Sequence, residues 1–287
     1  MRLGHNMYSL NIFKNYKNTL GVNSKALGNI STGLKINSAK DNPNKIGQSE
    51  NLKLEILARD AAQSNVQDTN SMLQTFDGTL QEMNNNISRL KQLTVKASNG
   101  TNSNEDLELI QKEINQILKG LDDLADNTDF NGIYLSSAKS ESAVTDLTNP
   151  DEPELSKISV IGILSGEKVE IPFYNVTSKG LGIDDIDVTK PNGGSDALEK
   201  IEKATNIVSR IRSKYGSMQS RLDETYDSMS EISENLSSAK SSISDADIAE
   251  EMLNYARTNI MYQSAISLMA QSNKFPQDVL NIMSNVK

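Results

Sequence analysis

The chain has 287 residues with a formal charge of −9, only 5% aromatic residues, a single histidine and no cysteine. That composition excludes disulfides, thiolate metal sites, the common histidine zinc sites and histidine-based triads. An acidic chain without a basic stripe is a poor nucleic-acid binder, and no apolar run reaches the roughly 18 residues needed to span a membrane.

The N-terminal segment MRLGHNMYSLNIFKNYKN lacks the apolar h-region and cleavage site of a signal peptide. By that test the protein is cytosolic unless another route exports it. Residues 1–35 read as an amphipathic helix, with Phe13, Leu20, Leu27 and Leu34 a heptad apart, Tyr16 and Ile30 interleaved, and Leu3, Met7 and Leu10 upstream. Gly21, Gly28 and Gly33 each cost about 1 kcal/mol against Ala, so the stripe needs an outside partner to order it. Asn42-Pro43-Asn44 and Gly47 then mark residues 36–56 as an irregular connector.

A long helix is predicted from Leu57 to Ser98, with Val66, Thr69, Leu73, Phe76, Leu80, Met83, Ile87, Leu90, Thr94 and Ala97 in steps of three and four. Asn99-Gly100 reads as its left-handed stop. Ser103, with Asp106 in the capping-box position, starts the next helix, which ends near Asn127. Its stripe is Leu107, Ile110, Ile114, Ile117, Leu121 and Leu124.

The helical period disappears over residues 128–195. Asn131-Gly132 is a tight turn, 158–163 and 168–174 are β-rich runs joined as a hairpin through Ser165-Gly166-Glu167, and 138–154 reads as an exposed loop. Asn192-Gly193-Gly194 turns the chain into a returning helix whose 3-4 stripe runs from Ile201 to Ile243 over about six heptads, broken only at Thr225. Three such seams pack as a long bundle. Ser244-Asp245-Ala246-Asp247 then caps a final helix with the stripe Ile248, Met252, Tyr255, Asn259, Tyr262, Ile266 and Met269, interrupted by Pro276. The fold class is mainly α: a coiled-coil-like bundle with a small β-hairpin region, plus a terminal helix pair that is marginal alone.

Several stretches, in order, resemble flagellin: ISTGLKINSAKDNP, RLKQLTVKASNGTNS and FNGIYL in the first half, then RSKYGSMQSRLDE, ENLSSAKSSISDADIAEE and AQSNKFPQDVLNIM. Residues 42–47, NPNKIG, depart from the Asp/Ala-rich run typical there, and 133–195 are too few for the outer domains of long flagellins. The resemblance implies filament-core segments at 1–45 and 246–287 and a surrounding domain at 46–245, with the hairpin insert at about 131–195. It implies export as an unfolded chain to the extracellular filament, self-polymerisation into a helical homopolymer, and partners among export chaperone, filament cap and hook-associated proteins. The polymerisation seam would be Phe13, Leu20, Leu27, Leu34, Met252, Tyr255, Tyr262, Ile266 and Met269. Toll-like receptor 5 reads the first bundle domain of similar flagellins; the matching positions are Arg89, Leu93 and Glu113, with Ser88 where recognised flagellins have Gln. A hook–filament junction protein and a coiled-coil signalling adaptor stand as the alternatives.

Nothing in the sequence reads as enzymatic or cofactor-binding: HExxH, GxxxxGK[ST] and GxSxG are all missing. His5 reads as a surface residue without a role, and Asp122-Asp123 and Asp184-Asp185 read as solvated acids. Asn175-Val176-Thr177 fits a glycosylation sequon, as do Asn29, Asn86 and Asn235 on predicted helices. Ser136, Ser137, Ser140, Ser142 and Thr145 are the outer-loop hydroxyls that carry O-linked sugars in some flagellins.

Overall fold

The computed structural model describes residues 6–134, 143–144, 156–163 and 166–285. His5 and most of the outer loop, including Ser136, Ser137, Ser140, Ser142 and Thr145, lie outside the described residues, as does Ser165 of the hairpin turn. The helices are α1 Met7–Thr32, α2 Pro43–Ala97, α3 Asn104–Asn127, α4 Gly193–Ser244 and α5 Ile248–Asn285. The strands are β1 Asp129–Phe130, β2 Ile133–Tyr134, β3 Ala143–Val144, β4 Ser156–Val160 and β5 Lys168–Tyr174. The described chain forms two compact units, one from Met1–Ile56 with Glu234–Lys287, the other Leu57–Ser233.

α2 begins fourteen residues before the expected Leu57, and this corrects the reading of 36–56 as irregular. Pro43 takes the first helical position, where its missing N–H would have had no partner and its fixed φ already suits a helix. Asn42 caps the helix by accepting the Lys45 N–H at 3.1 Å. The other end is corrected too: Gly100 does not adopt a left-handed conformation. The last carbonyls of α2 are instead taken by Asn102 Nδ2, which donates to Lys96 O at 2.6 Å and Ala97 O at 3.3 Å. α3 starts as expected, with Ser103 and Asp106 forming a reciprocal capping box.

In the Leu57–Ser233 unit, α2 runs antiparallel to α3 and to α4. Asp77 accepts from Arg212 Nε at 2.9 Å and Asn70 donates to Asp223 at 2.8 Å across α2 and α4. The α2 stripe from Val66 to Ala97 is buried throughout. So is the α4 stripe at Ile201, Ala204, Val208, Ile211, Tyr215, Leu222 and Met229. Beyond Met229 the sequence repeat continues but the cover does not: Ile232 is 38% exposed and Ala239 is exposed. Tyr215 meets the rings of Phe76 and Tyr174 edge-on, with centroids at 4.9 and 5.9 Å, and donates its hydroxyl to the carbonyl of Pro172. Burial raises its phenol well above the ordinary range.

Asn131 and Gly132, at φ 53° and 76°, close the β1–β2 hairpin as a left-handed two-residue turn. β4 and β5 pair antiparallel as expected, but β3 pairs parallel to β5, so residues 143–144 of the expected exposed loop are a strand. β5 buries Val169, Ile171, Phe173 and Tyr174 against the bundle. A methyl at Gly193 would come within 2.1 Å of the Asp187 carbonyl oxygen, so this glycine lets α4 start against its own preceding loop.

That loop is held by Asp187. Its Oδ1 accepts the Thr189 hydroxyl at 2.6 Å and N–H at 3.0 Å, and Oδ2 pairs with Lys190 at 3.1 Å. These bonds, the Thr189 hydroxyl first, hold the carboxyl at about 2 against an ordinary 3.8. A pKa depressed in the folded state stabilises fully above the unfolded value and is lost as pH falls through the folded one. The melting temperature of Asp187→Asn should therefore lie below that of the unaltered chain near neutral pH, with the gap closing as pH falls from about 4 towards 2. A gap that stays constant through that window contradicts this role.

Candidate functional site

α1 and α5 pair antiparallel, and the faces they turn to each other mix polar residues with Ile12, Tyr16, Ile30, Tyr255, Tyr262 and Met269. Asn23 Nδ2 donates to Thr258 Oγ1 at 2.9 Å and to Tyr255 O at 3.3 Å. Asn29, itself 5% exposed, donates to Glu251 Oε1 at 2.8 Å. Small side chains fill the spaces between: Ser9, Thr19 and Ala26 on α1, Ala265 on α5, each buried or half-buried. Tyr16 packs edge-on to Tyr262 at 6.4 Å and stacks with Phe13 at 6.3 Å. Asparagine at such a seam fixes register and contributes little cohesion.

Asn6 closes the far end of the pair. Its Oδ1 caps α1 by accepting the Ser9 N–H at 3.1 Å, and its Nδ2 donates to Ser272 O at 2.8 Å. That carbonyl is the one Pro276 leaves without a helical partner, because proline has no N–H to return four residues back. The expected interruption at Pro276 is thereby corrected: α5 continues through it to Asn285. At the near end, Gly33 caps α1 at φ 72°, and Leu34 bridges to Asp245. Lys35 N–H donates to Ser244 O and Ala246 N–H to Gly33 O, each at 2.9 Å. Asp41 organises the turn that follows by accepting from Asn37 and Ser38, and Lys25, at 3.0 Å, is the main cause of its pKa of about 2.

The large apolar side chains point elsewhere. Phe13, Leu20, Leu27 and Leu34 are 52%, 43%, 52% and 37% exposed, joined on α1 by Met7, Leu10 and Val22. On α5, Met252 and Ile266 are 54% and 49% exposed, with Leu253, Ile260 and Leu268 beside them. Of the expected seam, only Tyr255, Tyr262 and Met269 are half-buried in the helix pair. The heptad periodicity locates the apolar stripe, but it runs alongside the pairing face. Tyr16 and Ile30, expected within that stripe, lie on the pairing face instead, and the Thr19, Asn23 and Ala26 positions between them were missed. Their signal is the 3-4 spacing of Tyr16, Thr19, Asn23, Ala26 and Ile30, a second stripe masked by its polar and small members. An apolar surface of this extent marks an interaction site.

The second candidate patch lies on α2 and α3. Arg89 Nη2 and Glu113 Oε1 pair at 2.7 Å with both side chains about half exposed. Leu93 does not share that surface: it is 3% exposed and belongs to the core. Asp184 and Asp185 are both exposed as expected, but Asp122 and Asp123 separate. Asp122 is half-buried and accepts the Ser178 N–H at 2.7 Å and hydroxyl at 2.9 Å, a structural bond in place of the expected solvation. Asn175 is 8% exposed, with Oδ1 taken by the Thr177 hydroxyl at 2.8 Å, so this sequon is folded into a turn. Among the described residues, no cluster of three or more acidic or histidine side chains is placed to hold a metal ion.

The family profile for the bacterial flagellin N-terminal helical region matches residues 3–141, and that for the C-terminal helical region matches residues 198–283. The flagellin of Halalkalibacterium halodurans is 32% identical over 99% of this chain and 100% of its own length. That of Bacillus subtilis is 31% identical with the same coverage. A solved structure described as a flagellar hook-associated protein from Vibrio parahaemolyticus superposes with a TM-score of 0.59 over 71% of this chain and 100% of its own. At 16% identity the likeness is one of fold alone.

Proposed function

This chain belongs to the flagellin family, and from that premise we propose that it polymerises by laying the outward apolar faces of α1 and α5 against neighbouring copies of itself. It is a structural subunit of the bacterial flagellar filament, outside the cell, and not an enzyme. The observation that carries the assembly reading is that the terminal pair, after covering its mixed inner face, leaves Phe13, Leu20, Leu27, Met252, Ile260 and Ile266 exposed. Completing the cover of each half-exposed large side chain is worth roughly 1 kcal/mol. The filament-core segments are 1–45 and 246–287, with 46–245 as the surrounding domain.

The finer partners follow from the same surfaces. An export chaperone that holds the chain before assembly, and the cap and hook-associated proteins at filament ends, would use the apolar faces that another subunit uses later. A chain without cysteine and with few aromatic residues suits passage as an unfolded polymer. No helix among the described residues is long and apolar enough to cross a membrane. For recognition by Toll-like receptor 5, Arg89 and Glu113 offer an exposed ion pair, while Leu93 is buried in the core.

Relatives matched along the full chain favour a filament subunit over a junction protein or a signalling adaptor. The test is electron microscopy of the purified protein with filament seeds and added salt. Long helical filaments are expected; soluble material that leaves seeds unextended would overturn the assembly reading.

A further inference from the structure

We propose that Asn99 is a site of spontaneous chemical modification, at which the folded chain converts asparagine to aspartate or isoaspartate, while the fold protects the other two Asn-Gly pairs. Asn-Gly occurs at 99–100, 131–132 and 192–193. In each pair the glycine's backbone nitrogen can attack the asparagine side-chain carbonyl carbon. The nitrogen loses its proton, the side-chain amide leaves as ammonia with that proton, and a five-membered succinimide closes. Water then opens either ring carbonyl, giving aspartate or isoaspartate. Net, one water enters and one ammonia leaves, and no oxidant, reductant or enzyme takes part.

The three sites differ in what holds the attacking nitrogen. Gly132 N–H donates to Asp129 Oδ2 at 3.1 Å. Gly193 N–H donates to Lys190 O at 3.0 Å, and Gly193 packs closely against the Asp187 carbonyl. Both asparagines are also fixed in left-handed turns, at φ 53° and 64°. Reaction at either requires the turn to break first.

Asn99 also closes a turn, its carbonyl accepting the Asn102 N–H at 3.2 Å, but the attacking nitrogen is not held in it. It and Gly100 are exposed, and no acceptor among the described residues takes the Gly100 N–H. Thr101 N–H points at Asn99 Oδ1 from 3.4 Å. This donor turns the side-chain carbonyl back over the following peptide, and it sits where negative charge develops on that oxygen during attack. The product places a carboxylate beside the C-terminal carbonyls of α2, against the helix dipole. Isoaspartate further lengthens the backbone between α2 and its Asn102 cap.

Incubation of the folded protein at mildly alkaline pH, followed by peptide mapping with mass spectrometry, tests this. Asn99 should convert about tenfold faster than Asn131 or Asn192, the advantage coming from local positioning. In denaturant the three should convert at similar rates. Gly100→Ala should slow conversion at Asn99 by crowding the nitrogen; a methyl there meets nothing within 4 Å, so the fold tolerates it. Equal rates at the three sites of the folded protein, no conversion at Asn99, or a rate indifferent to Gly100→Ala would each overturn the proposal.

Discussion

Leu222→Asp should unfold the bundle at temperatures where the unaltered protein is native, with a loss on the order of 3 kcal/mol or more. Leu222 is fully buried in the α4 stripe. A carboxylate there has no partner to replace water, and the lost side chain leaves space its neighbours fill only in part. Arg221, the preceding residue, is exposed, and a change of its charge should cost no more than about 0.5 kcal/mol. Thermal melts of Leu222→Asp and Arg221→Asp measure the contrast. Equal melts would mean that the stripe is not the core of this unit.

The second large effect falls on assembly. Leu27→Asp combined with Ile266→Asp should leave the melting of the Leu57–Ser233 unit unchanged and stop elongation of filament seeds. Both side chains are about half exposed and face away from the α1–α5 seam, so the isolated subunit loses little by their replacement. In the filament each position would lose roughly 1 kcal/mol of apolar cover, since half of each side chain is already buried, and gain a carboxylate to desolvate. That amounts to at least about fivefold weaker addition per site. Seeded growth followed by light scattering gives the rate. Elongation at the unaltered rate would place the subunit contact on other residues.

The bundle was legible in the sequence because an apolar residue at steps of three and four has one physical use in a soluble helix, which is to be buried. Leu73, Phe76, Leu80 and Met83 on α2, and Val208, Ile211 and Tyr215 on α4, show this directly. The capping box at Ser103 and the Asn131-Gly132 turn were legible for a similar reason, since each residue pattern has one local geometry. The start of α2 was not, because proline reads equally as a breaker and as a first helical residue; Asn42 decides between them only through its cap.

The terminal site was half legible. The heptad Phe13, Leu20, Leu27, Leu34 showed that an apolar stripe exists, but periodicity carries no information on which chain covers it. The polar part of the face that α1 and α5 share rests on contacts such as Asn6 with Ser272 and Asn29 with Glu251, more than two hundred residues apart in sequence. Asparagines in a helix of modest propensity give no sign of such partners until the two helices are brought together.

The chain's ends should become ordered when neighbouring subunits cover them. Their mutual face carries only part of their apolar residues and the rest need cover, so ordering and polymerisation should be one event. Hydrogen exchange of backbone amides, measured on the free subunit and on the filament, tests it most directly. The expected result is fast exchange over α1 and α5 in the free subunit, slow exchange there in the filament, and protection of the Leu57–Ser233 unit in both. Slow exchange across α1 and α5 in the free subunit would mean that the ends order without neighbours.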